Sequence, residues 1–497
     1  MRNLLLLSGI AFASLTMSAD KVVLVAPGAQ NIYKGNAETV IAFPEGFYFN
    51  KPQANIPDEY MKKAFACDVL KIEELTDGKD YGFPKPSSSS PYSYINNGAF
   101  WWYTNNAWRF TPAKGITIKN ITVRSQRFAT GGTKVPSNFV HRITPKPEDS
   151  KITYNNDQLD KADEIYINVD NINTNQPFVL QSYGQNRCIY FEIEYDGTIE
   201  QPLVPLCSAM IPFVSADEEI SFDSTPGADI YYTLDGEMPT VNSTKYTTPF
   251  KLDKFTVVRA IAVKDGVESF PSYDEFFVID SDTQMGLFDF HNTESLVTSD
   301  DKLISLDNFE TIPSKTTPPT LPDYKYDLKT TELVDNGVHL SFPQTTEEAA
   351  PYIARPWSWH YVTTYKPIGA RTKIVAPEGT VLTNIIVVGT NMDSMNMADD
   401  EPQAGEWGLN PYNHDYGMWT YNATKPSNTL TLKGGADIGQ IYAFYKKTGT
   451  GIKTIGDEKS NDTEEYYNLQ GIKVAEPTNG IYILRQGGNT KKIMVRK

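Results

Sequence analysis

The segment from residue 221 to residue 269 carries the pattern that most constrains the fold. Residues 230–234 and 255–262 alternate side chains with the two-residue period of a half-buried β-strand. Asp235-Gly236 and Asp265-Gly266 follow these two runs, and both are turn dipeptides that accept positive φ angles at low cost. Short strands with turn signals at a spacing of roughly 8–12 residues predict an all-β fold of the sandwich type.

The same segment contains a longer pattern of turn and strand residues: Gly227, Ile230-Tyr231-Tyr232-Thr233, Asp235-Gly236, Pro239-Thr240, Ser243, Tyr246, Pro249, Val257 to Ala262 and Gly266. This pattern resembles the chitobiase/β-hexosaminidase C-terminal module. The resemblance implies an immunoglobulin-like sandwich that accompanies catalytic domains and holds no catalytic residues itself. It therefore implies a structural or spacer role for the segment and does not imply hexosaminidase activity.

The sequence on the two sides of this module is repeated. Three collinear blocks carry the repeat: Tyr94-Ile95 with Trp101-Trp102-Tyr103 against Tyr352-Ile353 with Trp359-His360-Tyr361, residues 115–123 against residues 379–387, and Ile189-Tyr190 against Ile441-Tyr442. We therefore expect two related, jelly-roll-like β-sandwiches, at residues 20–200 and 282–447, on either side of an immunoglobulin-like module at residues 203–280.

The first residues of the chain have the composition of a targeting segment. Residues 1–19 read as a signal peptide, with Arg2 at the charged start, an apolar middle and Ala19 at the cleavage position. The apolar stretch is shorter than the ~20 residues that span a bilayer, and no later apolar run reaches ~18 residues. We expect a protein without a membrane span that is secreted to the extracellular space or the outer cell surface.

The end of the chain differs from the rest in composition. Residues 448–465 are a polar, charged linker, and a tail at residues 466–497 follows it. In the tail, residues 466–474, the Gly480-Ile481-Tyr482 run and the basic residues 491–497 resemble the last half of a type IX secretion sorting domain. The resemblance implies secretion machinery as a partner of the tail. The alternative is a small hairpin that packs on the neighbouring sandwich.

Charge and ligand chemistry exclude several classes of function. The formal net charge of −16 repels phosphate backbones and argues against nucleic-acid binding. Five scattered histidines and the absence of paired cysteine motifs predict no metal and no cofactor. Cys67, Cys188 and Cys207 leave two alternatives open, namely one disulfide with a free thiol or three buried thiols.

No catalytic motif stands out, so aromatic residues are the remaining functional signal. Trp101 and Trp359 lie beside strands at matched repeat positions, and we assign them to cores. Trp407 and Trp419 lie among turn-forming residues, and Trp108 follows two asparagines, so we expect these three in exposed loops. Flat, exposed indoles stack on sugar rings, which makes Trp108, Trp407 and Trp419 the candidate carbohydrate-binding residues.

Three hypotheses about function follow. The first is a secreted or cell-surface, non-catalytic binding protein whose ligands are glycans. The second is a secreted glycoside hydrolase, which needs two carboxylates about 5–9 Å apart, and 61 acidic residues leave that pair unassigned. The third is a structural or adhesive surface protein with protein partners.

Overall fold

The chain is an all-β protein. The computed structural model describes residues 20–26, 29, 33, 35–37, 39–43, 64–75, 94–96, 99–102, 105–125, 141–145, 148–154, 165–182, 186–209, 213–312, 323–343, 351–355, 364–390, 396–398, 405–409, 418–423, 427–435, 437–448, 465–467, 473–474, 480–486 and 489–495. These residues form strands, turns and two short 3₁₀ turns (Thr293–Ser295 and Leu306–Asn308), with no α-helix among them. The contacts divide the chain into two compact units, residues 1–447 and residues 448–497.

The first sandwich consists of two sheets that enclose one core. Its strands are β1 (Asp20–Val25), β2 (Thr39–Ala42), β3 (Phe65–Ala66), β4 (Leu70–Leu75), β5 (Tyr94–Asn96), β6 (Ala99–Trp102), β7 (Ala107–Pro112), β8 (Ile116–Ser125), β9 (His141–Thr144), β10 (Lys151–Tyr154), β11 (Ile165–Asp170), β12 (Phe178–Ser182) and β13 (Asn186–Gly197). The larger sheet has the order β10-β11-β8-β13-β1-β2, with β6 paired to β13 and β5 to β6, and the smaller sheet has the order β3-β4-β7-β12-β9.

Alternation of side chains builds the core between these sheets. In β4, the buried residues Leu70 and Ile72 alternate with more exposed neighbours, as expected of a strand with one buried face. In β8, the buried residues Ile121 and Val123 alternate with Thr122, which keeps partial exposure. Side chains of both sheets meet in one continuous apolar cluster, so the sheets pack face to face.

The central module forms two small sheets. Its strands are β14 (Leu206–Cys207), β15 (Phe213–Ser215), β16 (Phe222–Asp223), β17 (Asp229–Thr233), β18 (Thr244–Lys245), β19 (Thr256–Lys264), β20 (Val267–Glu268) and β21 (Asp274–Ile279). They form the pair β14-β16 and the sheet β15-β21-β19-β17-β18, with β20 added to β19. Asp265 and Gly266, with φ angles of 53° and 75°, make the tight turn between β19 and β20 that the sequence predicts.

The second sandwich repeats this two-sheet plan. Its strands are β22 (Thr283–Asp289), β23 (Glu310–Ile312), β24 (Asp323–Asp327), β25 (Glu332–Asp335), β26 (Val338–Ser341), β27 (Tyr352–Arg355), β28 (Thr364–Lys366), β29 (Arg371–Val375), β30 (Thr380–Thr390), β31 (Asn396–Met397), β32 (Gly405–Leu409), β33 (Met418–Ala423), β34 (Thr429–Lys433) and β35 (Asp437–Lys447). The larger sheet has the order β23-β24-β27-β28-β35-β30-β33-β32, with β22 also paired to β35, and the smaller has the order β25-β26-β29-β34-β31.

Strand order relates the two sandwiches strand by strand. Strand β13 pairs with β8, β1 and β6, and β35 pairs in the same way with β30, β22 and β28. Beyond β8 lie β11 and β10, and beyond β30 lie β33 and β32. The smaller sheets correspond along their whole order, β3-β4-β7-β12-β9 with β25-β26-β29-β34-β31. The two sandwiches therefore share one topology in these strands, and β2 of the first and β23 and β24 of the second lie outside the correspondence.

Two β-bulges occur at the same places in both sandwiches. The β8–β13 ladder shifts register between Glu194 and Tyr195 and again between Cys188 and Tyr190. The β30–β35 ladder shifts between Leu382 and Asn384 and again between Val388 and Gly389. Each shift leaves one residue out of the ladder pairing, and these residues correspond between the two ladders. Lys119 of β8 corresponds to Thr383 of β30, and Ile189 of β13 corresponds to Gly439 of β35. Such irregularities fix the register, so the counterparts follow residue by residue.

This register corrects two of the three repeat blocks. Gly115 and Gly379, with φ angles of 85° and 75°, precede β8 and β30 in the same way, and the sequence match of this block agrees with the register. Phe100 pairs with Cys188 and Tyr365 with Ile438, so Tyr365 is the counterpart of Phe100. Ile95 pairs with Phe100 and Ile353 with Tyr365, so the Tyr94-Ile95 part of the first block agrees with the register and its tryptophan part was misaligned. The third block is wrong by two residues, as described below for Glu192 and Tyr442.

Residues 448–497 form a separate small unit. Its strands are β36 (Glu465–Tyr467), β37 (Lys473–Val474), β38 (Gly480–Gln486) and β39 (Asn489–Val495). They make one antiparallel sheet with the order β37-β36-β38-β39. This sheet has more strands than the hairpin that was one alternative for the tail, and a role in secretion stays a prediction. Among the described residues of the whole chain, none belongs to a helix long and apolar enough to cross a membrane.

Candidate functional site

Hydrogen-bonding side chains cover the outer face of the larger sheet in the first sandwich. Glu192 lies opposite Thr122, and Thr122 lies opposite Asn168, so one polar row crosses β13, β8 and β11. Because side chains alternate across a strand, this row faces away from the core that holds Val123 and Phe191. We call this surface the polar face and define it by ten residues: Lys21, Asn120, Thr122, Arg124, Tyr166, Asn168, Asp170, Tyr190, Glu192 and Glu194.

Glu192 is the centre of the polar face. Its Oε1 accepts a hydrogen bond from Lys21 Nζ at 2.7 Å, and its Oε2 accepts one from the Tyr33 hydroxyl at 2.8 Å. The bond to Glu192 raises the pKa of the Lys21 ammonium. Burial, and then the bond to Glu192, raises the pKa of Tyr33 to about 12. At neutral pH Lys21 is therefore charged and Tyr33 is a neutral donor, so both orient the carboxylate.

Further pairs fix the neighbouring rows of the polar face. Asn120 Nδ2 donates to Glu194 Oε2 at 2.6 Å, and Thr122 Oγ1 donates to Asn168 Oδ1 at 3.1 Å. Glu192, Glu194, Thr122 and Asn168 each keep partial exposure to solvent. The face therefore presents oriented donors and acceptors that a polar ligand reaches without rearranging them.

Aromatic rings support one end of the polar face. Tyr190 is 6% exposed, and the Tyr33 ring meets it edge-on with 5.3 Å between ring centroids. The Arg124 guanidinium lies 6.0 Å from the Tyr190 centroid, at the outer limit of a cation–π contact. Tyr166 lies opposite Arg124 in β11 and keeps partial exposure. Arg124 is only 5% exposed, so at this end of the face Tyr190 and Arg124 are buried and Tyr166 is the side chain that reaches solvent.

The corresponding face of the second sandwich is apolar. By the shared register, Ile386 and Val388 stand at the positions of Thr122 and Arg124. In the neighbouring strands the counterparts of Lys21, Glu192 and Glu194 are Met285, Tyr442 and Phe444, respectively. The two copies of one fold therefore differ in the chemistry of the same face.

The central module covers this apolar face. Phe213 of β15 contacts Tyr442 and Phe444, with ring centroids 4.8 and 4.9 Å apart. Phe277 and Ile279 of β21 complete the cluster, in which Phe213 is only 4% exposed. Burying aromatic surface on both sides stabilises the contact, so the module and the second sandwich are docked together. The same face has become an internal interface in one copy and a partly exposed polar surface in the other.

Trp108 does not belong to a binding surface. It is fully buried in β7, and its ring stacks on Trp102 with 4.9 Å between centroids. Phe191 from the larger sheet lies 5.4 Å away on the core side. The prediction that Trp108 lies exposed in a loop is therefore wrong, because the loop ends at Asn106 and the next residue begins a strand whose tryptophan faces the core.

Trp407 and Trp419 lie in strands and not in loops. Trp407 belongs to β32 and Trp419 to β33, which pair with each other. Position 419 lies opposite Val387, which is fully buried. Ile167 lies opposite Val123, the counterpart of Val387 in the first sandwich, so position 419 corresponds to Ile167. The loop placement is thus wrong, and the side chains of both tryptophans lie outside the described part of the structure. Their role in sugar binding stays a prediction.

Burial raises the pKa of several carboxyl and thiol groups in the described residues. Burial raises the pKa of Asp274 in β21 to about 6, and burial raises the pKa of Asp68, whose Oδ1 accepts a bond from the Val204 amide at 2.8 Å. The three cysteines are buried and free, which settles the choice left open by the sequence, and burial raises the pKa of Cys67 to about 11. Within the described residues, no group of three or more potential metal ligands occurs.

Sequence reasoning missed the polar face, although the repeat contained its signal. The block that aligns residues 115–123 with 379–387 already places Thr122 against Ile386. A hydroxyl against an isoleucine at the same outward position indicates two different environments. The difference has meaning only once the register extends it to β13 and β35, where Glu192 corresponds to Tyr442.

Comparison with known proteins supports the reading of the central module. Residues 213–273 match the family described as the chitobiase/beta-hexosaminidase C-terminal domain, so the central segment is a module of this kind. A module of this type fits a non-catalytic surface protein. A comparison with curated proteins found no match.

Two solved structures from streptococci give only weak similarities. The C-terminal domain of the Streptococcus pyogenes antigen I/II-family protein AspA is 9% identical over 78% of this chain and 90% of that chain, with a TM-score of 0.09. The C-terminal domain of the Streptococcus agalactiae AgI/II polypeptide BspA is 7% identical over 80% of this chain and 91% of that chain, with a TM-score of 0.10. These TM-scores are too low to indicate a shared fold.

Proposed function

We propose that this protein is a secreted or cell-surface, non-catalytic binding protein whose ligands are glycans. The polar face of the first sandwich is the observation that carries the proposal. Sugar hydroxyls are both donors and acceptors, and carboxylate, amide, hydroxyl and ammonium groups pair with them in both directions. The row from Asn168 through Thr122 to Glu192 offers such groups side by side across three strands.

The remaining parts of the chain fit supporting roles in this proposal. The central module docks on the second sandwich through Phe213, so it acts as a structural connector. Residues 1–19 act as the signal for export. The unit formed by residues 448–497 engages secretion machinery at the cell envelope, in keeping with its resemblance to a sorting domain.

Binding of the full chain to a glycan array tests the proposal. The expected result is saturable binding to at least one polysaccharide, with no turnover of that ligand or of a panel of aryl-glycosides by the same protein. Absence of binding to every glycan contradicts the proposal. Hydrolysis of a glycan would replace it with the second hypothesis, a secreted glycoside hydrolase.

The two tryptophans in β32 and β33 are tested in the same assay. Trp407→Ala combined with Trp419→Ala is expected to weaken binding if these residues form a second contact with the glycan. Unchanged affinity of a folded double variant would remove both residues from the site and leave the rest of the proposal standing.

A further inference from the structure

We propose that the ligand is an uncharged saccharide chain that lies on the polar face across strands β11, β8 and β13, centred on Thr122 and Glu192. This inference rests on the proposed function and adds to it a location and a chemical class. The row from Asn168 to Glu192 covers two strand spacings, which is about 10 Å, long enough for contact with more than one sugar ring.

Charge on the polar face selects against polyanions. The face holds three partly exposed carboxylates, Asp170, Glu192 and Glu194, and two cationic side chains, of which Lys21 keeps partial exposure and Arg124 is only 5% exposed. Lys21 is already paired with Glu192 at 2.7 Å, so its charge is offset within the face. The net charge of −16 on the whole chain adds a repulsion that any acidic polysaccharide meets on approach. An uncharged saccharide is complementary to this balanced set of donors and acceptors.

The second sandwich shows that this position of the fold serves as a docking surface. There, Ile386, Tyr442 and Phe444 hold the apolar side of the central module. In the first sandwich the counterparts Thr122, Glu192 and Glu194 replace apolar contact area with hydrogen-bonding groups. Docking an apolar module here would bury polar atoms without offering them hydrogen bonds, which is unfavourable, so the face favours a partner that supplies hydrogen bonds.

Fixed side chains support a preformed site. The Tyr33 hydroxyl accepts a hydrogen bond from the Ala37 amide at 3.1 Å and donates one to Glu192, which holds the carboxylate from the side. Asn120 Nδ2 donates to Glu194, and its Oδ1 accepts a bond from the Asn171 amide at 2.9 Å, so the amide orientation is fixed from both ends. Side chains that are ordered before binding lose little conformational entropy when a ligand binds. This order favours binding of a hydroxyl-rich ligand that pairs with the fixed donors and acceptors.

Exchange of residues between the copies gives the sharpest experiment. A variant with Thr122→Ile and Glu192→Tyr carries the residues of the second sandwich at the same register. Glu192→Gln and Asn168→Ala are milder variants that keep the shape of the face. Lys71→Ala with Glu73→Gln is the matched control, because this ion pair of 3.1 Å lies on the other sheet of the same sandwich.

The probes are three neutral polysaccharides (soluble starch, xylan and mixed-linkage β-glucan) and two anionic ones (alginate and heparin). The expected result is binding of the full chain to a neutral probe, a loss of at least tenfold in affinity in the exchange variant, a loss of several-fold in each milder variant, and a change below twofold in the control. Thermal unfolding of each variant verifies that it is folded. If the exchange variant does not fold, the milder variants Glu192→Gln and Asn168→Ala provide the test.

The outcomes separate this inference from the proposed function. Neutral glycan binding that survives Glu192→Gln and Asn168→Ala overturns the location and leaves the proposed function intact. Binding of alginate or heparin alone overturns the chemical class. Failure of every glycan to bind overturns the proposed function itself and this inference with it.

Discussion

Glu192 and Tyr442 occupy the same position of the same fold, but Glu192 belongs to a polar surface and Tyr442 to an apolar interface. Glu192 lies opposite Thr122, and Tyr442 lies opposite Ile386, at equivalent points of two ladders that share their bulges. Tyr442 contacts Phe213 of the central module, and Glu192 holds Lys21 and Tyr33 on a partly exposed surface. The same position of the fold therefore holds the central module in the second sandwich and forms a polar surface in the first.

Removal of the Phe213 ring is expected to uncouple the central module from the second sandwich. Phe213→Ala deletes an aromatic side chain that is 4% exposed and contacts two rings, and a buried Phe→Ala change costs about 3–5 kcal/mol. Calorimetry should show a lower unfolding temperature, with a separate transition for the released module. Leu206→Ala is the control, since Leu206 is 66% exposed and should change stability by less than about 0.5 kcal/mol. Equal effects of the two substitutions would show that the docking is weak.

Trp108 is expected to act on stability and not on ligand binding. Trp108→Ala removes a fully buried ring that stacks on Trp102, at a cost of about 3–5 kcal/mol. Denaturant unfolding measures this loss, and Trp108→Phe should recover part of it because a ring still fills the core. Glycan affinity per folded molecule should stay unchanged in both variants. Weakened binding without a loss of stability would return Trp108 to the candidate site.

Local patterns predicted the central module well because its signals are local. Asp265 and Gly266 form the tight turn between β19 and β20, and residues 213–273 match the expected family. These features depend on a few consecutive residues, so the sequence displays them directly.

Features that depend on distant pairing were predicted less well. Twelve positions separate Ile353 from Tyr365 and five separate their counterparts Ile95 and Phe100, so a constant offset misaligned the tryptophans. Turn-forming residues around Trp407 suggested a loop, yet pairing with Tyr421 makes this segment a strand. The polar face was invisible for the same reason, since Glu192 and Thr122 meet only through the register of β8 and β13.

Close packing at Gly439 should make substitution of this glycine destabilising. A Cβ atom added there would lie 2.4 Å from the imidazole ring of His291, which is buried. Gly439→Ala is expected to cost about 1–3 kcal/mol by overpacking, measured by denaturant unfolding. In a His291→Ala background the same substitution should cost at least about 1 kcal/mol less, because the ring is gone. Gly379→Ala serves as the control: nothing lies within 4 Å of its added Cβ, so it should show no coupling to His291→Ala.

Burial of Asp274 should make the central module less stable as the pH rises. Burial raises the pKa of this carboxyl to about 6, above its ordinary value of 3.8 in the unfolded chain. Between these pH values the folded state binds a proton that the unfolded state has lost, so stability falls as the pH rises from 4 to 6 and stays low above it. Because Asp274 keeps partial exposure, the loss is about 1–3 kcal/mol.

Asp274→Asn should remove this pH dependence and stabilise the protein at pH 7, as followed by denaturant unfolding at pH 4, 5, 6 and 7. The exposed neighbour Glu268 provides the control, since Glu268→Gln should leave the pH profile unchanged. A profile that is the same in wild-type protein and Asp274→Asn would show that this carboxyl is ionised in the folded module at pH 5.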